Sequence, residues 1–572
     1  MLRKVLICCL LAGIFATPAP GAVKLLMPGV TYDQRLQFTR FGPMRLHILM
    51  APKPDGALYR LQPVLSNGAV VGRERVTTMQ RRAAQSSTTA GVNADRFTWT
   101  DGIPSSGLIQ DGVLKTTPHP KRSMVGVDAA GNLRVERVAL RATWQGSGPR
   151  RPVHLVNRPP GPNGTTLYTP AFGATTPATG GVTEAVLAPF PAATPNADLV
   201  GFVTENRRGN TPIPPGGAVL AAKGSQAQRL AIEAPAGQLV TVRLVLTPDW
   251  RDVPEAVGGG PLIVRGGRPI FNAAEDFGSD LNRREPRTAV GQRADGRIVM
   301  LVVDGRRPGY SAGMSNFELA QMMIRLGAVT ASALDSGGSS TMAFDGQLLN
   351  RPSDRGGERM IADSLLVSYY GVYAPQPEPS FSPNGDGAGD KQELSFKIVR
   401  QSNVSATLTG PGGITRSIDI GDRKPGLYKF DWPGKVNGQN EPEGRWRFAV
   451  SATDSEARAS RAERSFNLNN TLGFITVKPL RAVVHRKRGG RVTIGFQLTR
   501  PARVSIAITS KTGQLLRVVR NAQAPAGRVV VNWDGRYPNR KAVFSGTYVA
   551  KVTAISGAGR ADLARSFRVR RR

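Results

Sequence analysis

The stretch IVMLVVDGRRPGYSAGMSNFELAQMMIRLGAVTASALD, from Ile298 to Asp335, decides how the first part of this chain is read. Ile298 to Val303 is an unbroken apolar run of strand length, closed by Asp304-Gly305. Ser315 and Glu318 make a capping-box pattern, Leu319, Met322, Met323 and Leu326 fall on one helical face, and Gly327 is a helix stop. Val329 to Leu334 then reads as a second strand ending at Asp335. Strand, helix, strand predicts a crossover connection. If the two strands are parallel, Asp304 and Asp335 leave the sheet at one edge, where open α/β sheets place ligands. The region is therefore expected to be α+β, a mixed sheet with helices.

Working outward, the next stretch is SGGSSTMAFDGQLLNRPSD, Ser336 to Asp354. Asp345-Gly346 is a two-residue hairpin signal. It pairs Thr341–Phe344 with Gln347–Asn350 and folds the Ser336–Thr341 cluster back against Asn350–Asp354. Glycines allow close backbone approach, and the hydroxyls of Ser336, Ser339, Ser340 and Thr341 suit phosphate or sugar oxygens. Arg351, Arg355 and Arg359 add positive charge, and Asp335, Asp354 and Glu358 add carboxylates. The alternative is a polar linker beside a hairpin. A serine-hydrolase elbow is disfavoured, because Thr341 occupies the last glycine position of G-x-S-x-G. The histidines His47, His119, His154 and His485 lie in no motif.

At 572 residues the chain is expected to hold several domains. Arg3 and Lys4 before the apolar Val5–Phe15, then Ala16, Ala19 and Ala22, read as a signal peptide over 1–22, so a secreted, periplasmic or surface location is expected. Cys8 and Cys9 both fall inside it, which leaves the mature chain without thiol, disulfide or Cys-ligated metal.

After a linker at 374–390, two segments repeat at a shift of about one hundred residues. Phe396, Val404, Trp432, Gly444, Trp446 and Phe466 correspond to Phe496, Val504, Trp533, Gly546, Tyr548 and Phe567. Alternating patterns predict two all-β immunoglobulin-like sandwiches, 391–474 and 475–572, after a first domain at 23–373. On FSPNGDGAGD and WDGRYPNRKAVFSGTYVAKVTA the repeats resemble the modules of flagellar-hook-capping proteins. In NGDGAGD, Asn384, Asp386 and Asp390 alternate as in oxygen-ligand loops for Ca²⁺, or form a plain Asx turn. No other cofactor is indicated.

The net charge is +35, and it is uneven. Ile475 to Arg572 holds 22 Lys+Arg and 2 acids, whereas Gln376 to Phe474 holds 13 and 12. The basic module is expected to touch an anionic cell-surface polymer, with nucleic acid not expected.

The segment Arg287 to Val367, with its Asp-Ser-Gly-Gly, Asn-Arg-Pro-Ser-Asp and Gly-Glu-Arg runs, resembles the phosphodiester glycosidase family. GVNADRF at Gly91, GLIQDGVL, RSMVGVDAAGNL and LYTPAFGATTP follow the family's order. Ser336, Ala94 and Asp363 depart from its common Gly, Gly and Asn. The resemblance implies cleavage between an anomeric carbon and a phosphodiester oxygen. Because a phosphate monoester leaves easily, that chemistry needs positive charge more than a strong acid. The implied roles are Asp335 as base or nucleophile and Asp304 or Glu358 as supporting carboxylate. Arg287 and Arg359 would clamp phosphate. Ser339, Ser340, Thr341, Asn350, Ser353 and Asn93 would hold substrate oxygens. Glu318 reads as a helix cap. A non-catalytic binder of glycans or anionic polymers is the competing class.

Overall fold

A computed structural model describes residues 23–272, 274–275 and 282–572. The expected leader, 1–22, lies outside the described residues. No described helix is long and apolar enough to cross a membrane. The described residues divide into two compact units, one holding 23–84 and 89–368, the other 85–88 and 369–572.

Strands dominate the first unit, which corrects the α+β expectation. The described residues hold three short α-helices: α1 (Val76–Ala83), α2 (Ser225–Glu233) and α3 (Asn316–Arg325). The sheet built on the opening stretch has eight strands, in the order Lys24–Met27, Val30–Thr39, Gly42–Ala51, Ile298–Val303, Arg287–Arg293, Ala328–Ala333, Leu262–Arg265 and Arg268–Pro269. Every neighbouring pair is antiparallel. The strand–helix–strand unit is present, but Arg287–Arg293 is wedged between its two strands and runs opposite to both. A continuous apolar run reports burial on both faces and not the direction of its neighbours. The two strands still share a direction, so Asp304 and Asp335 do leave at one edge. In register Val303 faces Arg287 and Ala333 faces Ala289. The two aspartates thus stand two strand spacings apart, about 10 Å.

Helix α3 packs on this sheet. Leu319, Met322, Met323 and Leu326 share a core with Val299, Leu301, Ala289 and Ala331. Its capping box is complete, with Ser315 and Glu318 each accepting the other's backbone amide. Glu318 also receives the Arg284 guanidinium, so it is a cap with an ion pair. A smaller sheet carries the hairpin in the order Gln347–Leu348, Met342–Phe344, Thr88–Asn93, Asp363–Tyr369 and Tyr59–Leu65. Residues between Leu108 and Gly258 build two further sheets around a core that includes Trp144 and Trp250.

The second unit consists of two sandwiches with a shared plan. Phe396, Val404, Trp432, Trp446 and Phe466 lie in the first core, and Phe496, Val504, Trp533, Tyr548 and Phe567 in the second. Each module also adds one parallel strand pair, Ser380–Phe381 on Ala459–Leu468 and Arg481–Val484 on Gly559–Arg571. Ala374 and Phe381, inside the segment read as a linker, are buried in the first module's core. Phe381 stands 5.4 Å from Trp432 and 5.9 Å from Phe466, ring to ring.

Replacing Ser315 with Ala leaves the Glu318 amide without its cap and should cost about 1 kcal/mol. A chemical-denaturation midpoint of the first unit that does not move would show that the cap contributes nothing.

Candidate functional site

The hairpin forms with the expected turn. Asp345 and Gly346 take φ of 46° and 76°, and Phe344 faces Gln347. Its ladder ends at Ala343–Leu348. One more backbone bond follows, from the Leu349 amide to the Met342 carbonyl at 2.8 Å, and then the Asn350 side chain takes over. It accepts the Met342 amide at 2.8 Å and donates to the Ser340 carbonyl at 3.1 Å and to Asp304 at 3.0 Å. The two polar clusters are therefore joined, as the turn chemistry predicts, but by a side chain.

Asp304 is buried and heavily bonded. His47 Nε2 lies 3.1 Å from its Oδ2, Tyr310 donates at 3.1 Å, and the Arg351 amide donates at 3.2 Å. Behind His47, the Tyr32 hydroxyl lies 2.8 Å from Nδ1. Burial and then the nearby Asp304 carboxylate push the Tyr32 hydroxyl up. His47 escaped the sequence reading because one polar residue inside the strand GPMRLHILMA carries no motif.

Asp335 stands at the other end of the edge, half-buried. Burial pushes its carboxyl up, while the Ser339 hydroxyl and the Ser336 amide, at 2.9 Å, pull the other way. Arg96 faces it electrostatically. Arg359 donates to Ser339 at 3.3 Å and grips Asp354 through two nitrogens, at 2.8 and 3.0 Å. The guanidinium also lies 5.0 Å from the ring of the exposed Trp99. Arg306, with φ 57°, lies against Gly337. Three guanidiniums thus surround the Asp335–Ser339 loop: Arg96, Arg306 and Arg359. Arg96 and Arg306 were missed, although both sit in segments that the sequence singles out, GVNADRF and LVVDGRR.

Other expected residues serve elsewhere. Arg287 is buried, and it donates to the carbonyls of Met314 at 2.9 Å and Arg283 at 2.7 Å. Glu358 accepts the amide and hydroxyl of Thr77 at 2.9 and 2.6 Å, which holds the start of α1. Asn93 is fully buried. It accepts from Thr288 at 2.8 Å and the Thr341 amide at 3.0 Å, and it donates to the Asp335 carbonyl at 2.8 Å. The hydroxyls of Ser340, Thr341 and Ser353 make no hydrogen bond within the described chain. In the NGDGAGD loop, Asp390 accepts the Gly385 and Gly387 amides, each at 2.7 Å, and Asp386 accepts those of Ala388 and Phe474. Asn384 accepts the Asp386 amide at 3.0 Å. The oxygens that a Ca²⁺ ion would use are engaged by backbone, and no cluster of three or more His, Cys, Asp or Glu suited to a metal occurs among the described residues.

Behind Asp335 lies a buried pair of carboxyl groups. Asp95 is bonded to Arg122 at 2.9 Å and to the Ser106 amide at 2.6 Å. Asp363 accepts the Asp95 amide at 2.7 Å, and its second oxygen has no partner. Burial first, and then the Asp95 charge, push the Asp363 carboxyl well up. A separate cavity of about 220 Å³ lies between Arg60, Asp111 and Glu255. Burial pushes Glu255 there up to about 8. None of the expected site residues lines it.

Residues 193–368 match the phosphodiester glycosidase family, and residues 482–558 match the FlgD Ig-like domain. Among individual relatives, the prophage-derived YomE of Bacillus subtilis is 42% identical over 91 residues, 16% of this chain and 14% of that protein. Bovine N-acetylglucosamine-1-phosphodiester alpha-N-acetylglucosaminidase is 33% identical over 118 residues, 20% of this chain and 21% of the enzyme. The chain therefore spans about a fifth or less of the length of these relatives. A hypothetical protein from Synechocystis shares the fold, with a TM-score of 0.51 at 24% identity over 61% of this chain and 64% of that one.

Two outcomes follow from this geometry. A methyl group at Gly338 would collide with both Arg359 Nη2 and Asp354 Oδ1. Gly338→Ala should therefore displace the Arg359–Asp354 pair and leave thermal stability lowered; an unchanged melting temperature would mean that the pair moves aside freely. For Asp363 the folded carboxyl holds a proton that the unfolded one releases at ordinary carboxylate pH. Its contribution is thus complete below the unfolded value and is lost as pH rises toward the raised folded one. Over that window stability should fall by up to about 1.4 kcal/mol per pH unit. Asp363→Asn should flatten the fall from pH 4 upward. Parallel stability–pH curves for the two proteins would exclude a protonated Asp363.

Proposed function

We propose that the first unit is a hydrolase that cleaves the bond between a sugar's anomeric carbon and a phosphodiester oxygen. The observation that carries this reading is one raised carboxyl, Asp335, facing Arg96 at the head of a loop that Arg306 reaches at Gly337 and Arg359 reaches at Ser339. The family match over 193–368 supports it. In the reaction water adds to the anomeric carbon, the C–O bond to phosphate breaks, and a phosphate monoester departs with that bonding pair. Asp335 takes the proton from the attacking water. A carboxyl raised above its ordinary range is a better base for that task than an unshifted one. The guanidiniums meet the charge that grows on the departing phosphate. Asp304, buried behind Asn350, acts by holding the Asn350–Arg351 turn. The expected leader supports action outside the cytoplasm, on a glycosyl phosphodiester of the cell surface or its surroundings.

Asp335→Asn should lower turnover about 10²-fold or more. The measurement is release of reducing sugar from a panel of sugar-1-phosphodiesters by purified wild type and mutant. Near-normal turnover in the mutant would remove Asp335 from the chemistry. Binding without any turnover by the wild type would favour the competing reading, a glycan binder.

A further inference from the structure

The second sandwich carries charge that its fold does not require. In the first module the parallel strand pair places Ser380 opposite Asn467. In the second the equivalent pair places Arg481 opposite Arg568, with Arg570 two residues further along the same strand. Both modules close the same core around equivalent aromatic residues. Like charges directly opposite in a sheet are destabilising, so the arginines cost stability where a neutral pair serves.

The local structure gathers more cations at this end. The ladder between these strands runs on, with the Arg486 amide donating to the Arg572 carbonyl at 2.9 Å. That brings the exposed turn Arg486-Lys487-Arg488 beside the chain's terminal arginines. Arg536 is bonded to the Lys487 carbonyl at 2.7 Å, which adds a further guanidinium. The module's two acids are already engaged, Asp534 with Arg517 at 3.6 Å and Asp562 with Arg560 at 2.6 Å. Strand spacing puts the backbones of Arg481 and Arg568, and of Arg568 and Arg570, about 5–7 Å apart, inside the Debye length of about 8 Å at physiological salt. Their fields therefore add.

We infer that this end of the second module, Arg481, Arg568, Arg570 and the 486–488 turn, is a docking surface for a linear phosphodiester-linked polymer of sugars or polyols. Charge complementarity selects a polyanion. Single-stranded nucleic acid would need aromatic platforms for base stacking, and the exposed ring here, Phe544, lies under the Arg571 guanidinium at 4.4 Å. The choice of a phosphodiester polymer over other polyanionic glycans rests on the function proposed for the first unit. The surface would hold the chain on such a polymer while the other unit works on its glycosyl phosphates.

The test is retention of the full chain on immobilised polyribitol phosphate, with no turnover measured, so it can fail independently of the proposed activity. Wild type should bind at about 50 mM NaCl and elute by about 300 mM, because screening shortens with salt. The exposed triple variant R486Q/K487Q/R488Q should bind about tenfold or more weakly, and R568Q/R570Q should behave likewise. The control K424Q/K435Q, which removes two exposed cations from the first module, should bind as wild type does. Equal losses in control and test variants, retention indifferent to salt, or tighter binding to oligothymidylate than to polyribitol phosphate would each overturn the inference.

Discussion

The candidate site depends on one buried amide. Asn93 is wholly enclosed, and its side chain reaches three pieces of backbone or side chain that belong to different parts of the first unit. Its oxygen accepts from Thr288 in the eight-stranded sheet and from the Thr341 amide at the start of the hairpin. Its nitrogen donates to the Asp335 carbonyl. A buried amide left half-satisfied is costly, so the three partners must keep their relative positions. That constraint sets where the Asp335 carboxyl stands relative to the Ser339–Thr341 loop. The following residues extend it, since the Asp335 amide donates to the Ala94 carbonyl and the Asp95 amide to Asp363.

Charge in the site is arranged by the same economy. Buried arginines must have their donors met, and Arg287 directs two of its nitrogens to the carbonyls of Met314 and Arg283. Arg359 spends two nitrogens on Asp354 and turns its third to Ser339. Glycine at 338 is what admits that pair, because the backbone there passes directly beneath it. Asp304 and Asp335 leave the same sheet edge yet differ in kind. Asp304 is enclosed by His47, Tyr310, Asn350 and Arg351, and Asp335 is half-open among guanidiniums.

The second unit shows how far two copies of one sandwich can diverge on the surface. Inward positions repeat in kind, from Phe396 and Phe496 to Phe466 and Phe567, because both cores must be filled. Outward positions carry no such demand, and Ser380 and Asn467 of one copy become Arg481 and Arg568 in the other. The Asp386 side chain, read as part of a loop with two alternatives, accepts the Phe474 amide and so bonds the entry loop of the first module to the opening strand of the second.

Local chemistry made several features legible from sequence alone. The capping box of α3, the Asp345-Gly346 turn and the two sandwiches all follow from residue types at short spacing, where the backbone has few choices. Direction and partnership did not follow. Ile298–Val303 is apolar on both faces whether its neighbours run with it or against it, and the tertiary fold placed Arg287–Arg293 and Gly42–Ala51 beside it, both antiparallel. The same holds for side chains. An arginine's type allows a phosphate clamp or a carbonyl brace, and the distant chain that packs around it decides which. Arg287 became a brace, Glu358 an anchor for α1, and His47 a neighbour of Asp304 across 257 residues, because tertiary packing alone brings such groups within hydrogen-bonding reach.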